Sequence, residues 1–120
     1  MTVKKILVVD DSATDLTRLE QICAGAGYAV VTATGGVEAV AKANSEKPDA
    51  VLLDIIMSDM NGFQVCRALT SNEATQHIPV VLVSCKSQKI DRLWGEQQGA
   101  TAYITKPYTS AQILAQLARL

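Results

Sequence analysis

Apolar residues along this chain fall into two patterns that alternate. Unbroken apolar runs occur at Lys5-Ile6-Leu7-Val8-Val9, Tyr28-Ala29-Val30-Val31-Thr32-Ala33, Ala50-Val51-Leu52-Leu53, Val80-Val81-Leu82-Val83 and Thr101-Ala102-Tyr103-Ile104-Thr105. Short continuous runs bounded by polar, Gly or Pro residues read as strands, and the most apolar of them as strands buried on both faces. Between the runs, apolar positions recur at helical spacing. Leu16, Leu19, Ile22 and Cys23 form a stripe between Ala13 and Ala24, and Val37, Val40 and Ala41 follow Gly35-Gly36. Val65, Cys66 and Leu69 mark a helix from Phe63 to about Leu69, and Ile90, Leu93, Trp94 and Gln97 share one side of a helix from Lys89 to Gln98. Ile113, Leu114, Leu117 and Leu120 face inward from a last helix beginning at Tyr108. Ser12 is placed to cap the first helix, with Asp15 in its first turn, and Gly25 and Gly27 end it.

Strand and helix alternate five times. That pattern demands parallel pairing and right-handed crossovers. The expected fold is a doubly wound α/β sheet, (βα)5, with strand order 2-1-3-4-5. The last helix uses up the sequence, so one domain over residues 1–120 is expected, without linker or repeat.

Composition adds mainly exclusions. With 120 residues the chain should bury roughly two-thirds of its unfolded surface, and 48% hydrophobic residues supply a core without disulfide or metal. A net charge of −1, from 11 basic and 12 acidic side chains, gives no reason to expect nucleic acid or an anionic membrane surface as partner. No apolar run approaches the ~20 residues of a membrane span. Met1-Thr2-Val3-Lys4-Lys5 enters the first strand without the apolar region of a signal peptide. A soluble, cytoplasmic protein is expected. Cys23, Cys66 and Cys85 show no Cys-x-x-Cys pairing and read as buried free thiols. His77, before a turn proline, reads as a solvated loop residue.

The chemistry gathers at one edge. In a parallel sheet every carboxyl end points the same way, and that edge is where ligands bind. The first strand delivers Asp10 and Asp11, the third Asp54, the fourth Ser84 and the fifth Lys106. In the order 2-1-3-4-5 the three carboxylates share a crevice. Carboxylates held together repel unless protonated or neutralised. A hard divalent cation resolves this, and Mg²⁺ suits an open site that keeps water and phosphate ligands. Lys106 adds a counter-ion for phosphate and Ser84 a short hydroxyl donor. A carboxylate nucleophile, a metal, a lysine and a hydroxyl suit transfer of a phosphoryl group onto Asp54.

Asp10-Asp11, Asp54, Ser84 and Lys106-Pro107 at these strand ends resemble the receiver domain of two-component response regulators, a flavodoxin-like fold, over the whole chain. The resemblance implies that Asp54 is phosphorylated by a histidine kinase. It also implies Mg²⁺ held directly by Asp11, Asp54 and the backbone carbonyl of Ile56, with Asp10 acting mainly through water. Lys106 would contact the phosphoryl group. Ser84 would swing to bond it and draw in Tyr103, the aromatic of the family's switch pair. The face made by the fourth helix, fifth strand and fifth helix would bind partners, which brings in Trp94 and Tyr103. Gly62 matches the glycine after the phosphorylated loop, and the Lys106-Pro107 peptide is typically cis in this family. Ser58 stands where the family usually has Pro, and Cys85 where Ala is common.

More narrowly, the stretches from Glu73 to Pro79 and from Asp91 to Ala100 look like stand-alone, chemotaxis-like receivers of twitching-motility or phototaxis systems. The resemblance thus implies a phosphorylation-activated switch in a phosphorelay, signalling to a downstream protein as a monomer or weak dimer. It would be no enzyme beyond its own phosphorylation and dephosphorylation. A phosphate sink and a phosphorylation-independent scaffold of the same fold remain alternatives. A phosphohydrolase ranks last, because Ile56 sits where such enzymes carry a second acid.

Overall fold

A computed structural model describes residues 3–120. The expected entry of Met1 and Thr2 into the first strand lies outside the described residues. Five strands, β1 (Lys5–Val9), β2 (Ala29–Ala33), β3 (Ala50–Leu53), β4 (Val80–Ser84) and β5 (Ala102–Thr105), alternate with five helices. The helices are α1 (Ala13–Gly25), α2 (Gly36–Glu46), α3 (Gly62–Thr70), α4 (Lys89–Gln97) and α5 (Ser110–Ala118). All pairings are parallel, and the sheet order is β2-β1-β3-β4-β5, as the alternation requires.

Apart from Lys5, the central strands β1, β3 and β4 are buried because each apolar run serves two cores. Leu7, Val9, Val51, Leu53 and Leu82 face one side with α2 and α3 residues such as Ala39, Val65 and Leu69. Ile6, Val8, Leu52, Val81 and Val83 face the other with Leu19 and Cys23 of α1 and Ile113 and Leu117 of α5. The period of two decides which residue goes to which layer. Truncating one of these leucines to alanine would cost about 2–5 kcal/mol.

Local chemistry sets the helix ends. Asn61 and Gln64 form a reciprocal capping box at α3, and Thr109 and Gln112 another at α5. The second box starts α5 at Ser110 rather than at Tyr108, and Tyr108 is instead buried with the α1/α5 core. Helix α1 ends one residue beyond Ala24, and Gly27 takes the left-handed φ of 96° that follows it.

One expectation is corrected, and one that the periodicity left open is decided. Cys23 and Cys66 are buried, and desolvation raises both thiols to about 11, but Cys85 is exposed on the loop after β4. The apolar stripe of α4 does not face the core. Ile90 is 63% exposed, Leu93 45% and Trp94 49%. The physical reason is Gly95, the one buried residue of this helix, which brings α4 so close to β4 that an added Cβ would stand 2.7 Å from a Leu82 methyl. Docking through a glycine turns the larger side chains outward.

Candidate functional site

The site residues are fixed by the sheet itself. The Asp10 N–H donates to the Ala33 carbonyl at 3.2 Å, that of Asp54 to Val9 at 3.0 Å, and that of Lys106 to Ser84 at 2.9 Å. Each functional side chain therefore leaves from a backbone position that continues the strand ladder, where geometry is least free to drift. Gly62 completes the frame. Its N–H donates to the Ile55 carbonyl at 2.8 Å, and a Cβ here would lie 2.3 Å from the Asp54 carbonyl oxygen. Only glycine lets α3 begin against the backbone of the loop that follows Asp54.

Carboxylate oxygens of Asp10, Asp11 and Asp54 all lie within 4.8 Å of one another. Asp10 is fully buried, Asp54 is 7% exposed and Asp11 faces solvent. Asp10 accepts from the Ser12 N–H at 2.9 Å and from Lys106 Nζ at 2.9 Å. Lys106 Nζ also donates to Asp15 at 3.0 Å and stands 3.9 Å from Asp54 Oδ1. Burial, and then the charge of Asp10, push the Asp54 carboxyl up to about 6, against the opposing pull of Lys106 and the Ile55 and Ile56 amides. For Lys106 burial acts to lower the pKa. Hydrogen bonds to Asp10 and Asp15 and the charges of Asp54 and Asp10 outweigh it and hold the ammonium above its ordinary value.

Such a cluster is electrostatically short of positive charge on one side. Lys106 answers Asp10 and Asp15, while Asp54 keeps a raised proton affinity beside an exposed Asp11. Three oxygen donors, one open to water, fit a hard divalent cation. Ser84 is buried at the end of β4, and its Oγ accepts from the Lys86 N–H at 3.4 Å. Tyr103 donates its hydroxyl to the Lys86 carbonyl, and burial raises it to about 12. Ser84 and Tyr103 thus bind the same loop residue. The Lys106-Pro107 peptide is cis.

Trp94 and Tyr103 lie against opposite flanks of α4. Trp94 meets Phe63 edge-to-face at 6.4 Å and lines a hollow between α3 and α4 with Asn61, Gln64 and Arg67. Tyr103 sits under the Arg92 guanidinium, 5.4 Å from its ring centre, in a hollow beside β5. Ile56 is half-exposed and lines a further hollow with Met57, Phe63 and Lys86. His77 is exposed in its loop, as expected.

Two side chains at the site escaped the sequence reading. Asp15, read only as a first-turn acid, reaches Lys106; its spacing of one helical turn from Asp11 was the available signal. Asp59, in the loop after Asp54, accepts from the Gly36 N–H at 2.9 Å and the Val37 N–H at 3.1 Å. It ties the loop that carries Ser58 to the start of α2.

Such a frame, with an aspartate-rich edge facing a lysine and a hydroxyl, defines a phosphoacceptor switch module. The chain belongs to the response regulator receiver domain family, whose model matches residues 6–118. It is 44% identical over 110 residues to Protein PilH of Pseudomonas aeruginosa, covering 92% of this chain and 91% of that protein. Among solved structures it is similar to Vibrio cholerae chemotaxis protein CheY4, with 30% identity, 98% of each chain covered and a TM-score of 0.92. It is also similar to the CheX-CheY-BeF3-Mg²⁺ complex from Borrelia burgdorferi, with 28% identity, TM-score 0.89 and coverage of 95% of this chain and 86% of that one. The protein is a receiver domain of two-component signalling, and phosphorylation on aspartate is typical of its family. Receiver domains act as signalling switches, are phosphorylated by histidine kinases and pass the signal on through protein contacts.

Proposed function

We propose that this chain works as a stand-alone switch in which Asp54 takes a phosphoryl group from a histidine kinase, in a chemotaxis-like system controlling pilus-driven motility. The observation that carries the chemistry is Asp54 itself, a nearly buried carboxylate at the end of β3 with Asp10 and Asp11 within 4.8 Å and the Lys106 ammonium at 3.9 Å. The likeness to PilH supports the pathway.

In the forward step an Asp54 oxygen attacks phosphorus, an O–P bond forms, and the P–N bond to the donor imidazole breaks with its electron pair leaving on nitrogen. With a pKa of about 6, Asp54 is mostly ionised at neutral pH and ready to attack. In the later hydrolysis water attacks phosphorus, a new O–P bond forms and the Asp54 O–P bond breaks, releasing inorganic phosphate and returning the carboxylate. Asp11, Asp54 and the Ile56 carbonyl would hold Mg²⁺, with Asp10 behind them. When bound, the ion neutralises charge on the carboxylates and the transferring group. Lys106 orients the phosphoryl oxygens, and the apolar Ile56 side chain limits approach of water. Ser84 and Tyr103 report the new charge by changing partners, a shift between two pre-existing arrangements.

Output passes through a cytoplasmic protein partner at α4. The exposed Ile90, Leu93 and Trp94 support this, since a contiguous apolar stripe on a helix marks a contact surface. The deciding experiment is intact-mass spectrometry after incubation with acetyl phosphate and Mg²⁺, with Asp54→Ala alongside. A labile phosphoryl adduct on wild type alone is expected. Its absence, with no beryllofluoride binding either, would leave a phosphorylation-independent scaffold.

A further inference from the structure

Lys106 has a partner outside the acidic cluster. Its Nζ lies 2.9 Å from Asp10 Oδ2 and 3.0 Å from Asp15 Oδ2, both closer than Asp54 Oδ1 at 3.9 Å. Asp15 belongs to the first turn of α1 and not to the three converging carboxylates. The same helix grips the same loop a second time, three residues on. Arg18 Nη2 donates to the Tyr108 carbonyl at 3.2 Å, and its guanidinium lies 5.0 Å from the Tyr108 ring centre. One face of α1 therefore holds the segment after β5 on both sides of Pro107.

We propose that Asp15 is a positioning residue that competes with a phosphoryl group on Asp54 for the Lys106 ammonium, and so sets how tightly the site retains that group. The inference rests on Asp54 being the phosphoacceptor. An ammonium has three donors in total. Two are committed here, and a phosphoryl group brings about −1.5 to −2 of charge with strong acceptor oxygens. The third donor is free, but Asp54 Oδ1 at 3.9 Å lies beyond its hydrogen-bond reach, so an ammonium that moves towards a phosphoryl group on Asp54 lengthens one of its two existing bonds. Asp10 is fully buried, and stripping a buried carboxylate of its cation is costly. Asp15 is 43% exposed and stands at a helix N-terminus, where water and the helix dipole support its charge. Asp15 is therefore the partner that lets go.

The test is beryllofluoride binding with Mg²⁺, measured by calorimetry on wild type, Asp15→Asn, Lys106→Met and the double variant. Asp15→Asn keeps the backbone N–H that bonds Ser12 Oγ, so the helix cap survives. Binding by Asp15→Asn should tighten roughly two- to fivefold, the scale of a partly exposed ion pair. In the Lys106→Met background the same change should move affinity less than about twofold. A gain that persists there would mean that Asp15 acts by its charge on the whole site, and would overturn the proposal, as would unchanged affinity in the single variant. A second readout needs neither metal nor anion. The Lys106 ammonium should give a slowly exchanging ¹⁵N–¹H signal in metal-free protein that Asp15→Asn speeds into exchange; an unchanged signal would overturn the contact. Failure of wild type to bind beryllofluoride would instead remove the phosphoacceptor reading.

Discussion

Asp54→Asn should stabilise the metal-free protein, although it removes the proposed phosphoacceptor. The substitution keeps the shape of the side chain and an oxygen for the Ile55 and Ile56 amides, and deletes only a charge that burial and Asp10 disfavour. Moving from the ordinary 3.8 to about 6 amounts, at about 1.4 kcal/mol per tenfold change in proton affinity, to about 3 kcal/mol. Because the folded-state pKa is the higher one, the native state holds this proton more tightly than the unfolded chain. Below about pH 4 both states carry it and there is no penalty; the penalty grows as pH rises through about 6 and is complete above. Urea unfolding in EDTA across this range should show the variant about 3 kcal/mol more stable at neutral pH, with the difference shrinking as pH falls towards 4. Adding Mg²⁺ should restore wild type alone, by about 2.7 kcal/mol at a hundredfold excess over its dissociation constant. A pH-independent difference, or a variant less stable at neutral pH, would refute the electrostatic account of Asp54.

Further outcomes follow from single contacts. Gly62→Ala must push α3 off the Asp54 carbonyl, so a loss of about 3 kcal/mol or more in denaturant melts is expected, with beryllofluoride binding lost too. Trp94→Ala touches Phe63 but is half-exposed, so it should cost only about 1 kcal/mol of stability while weakening capture of the downstream partner. Equal partner binding by the variant would move the output surface elsewhere. Of the three cysteines, Cys85 alone should react with a thiol reagent in the native protein, and Cys23 and Cys66 only on unfolding; prompt labelling of all three would contradict the packing.

Local pattern carried much of this protein. Buried parallel strands need unbroken apolar runs, and the alternation with helical stripes leaves few topologies, so the five strand ends and their carboxylates, hydroxyl and lysine could be placed from order alone. Capping chemistry at Ser12 is equally local, whereas the Thr109 cap that moves the start of α5 to Ser110 went unread. What only the tertiary structure decided depends on distances between elements far apart in sequence. The stripe of Ile90, Leu93 and Trp94 has the same period whether it faces a core or solvent, and Gly95 lying against Leu82 settled which. Cys85 follows a buried strand but sits where the chain has left it. Asp15 looks like any first-turn acid until Lys106, brought from the far end of the chain, meets it. Periodicity fixes which side of an element a residue occupies; only packing fixes what that side meets.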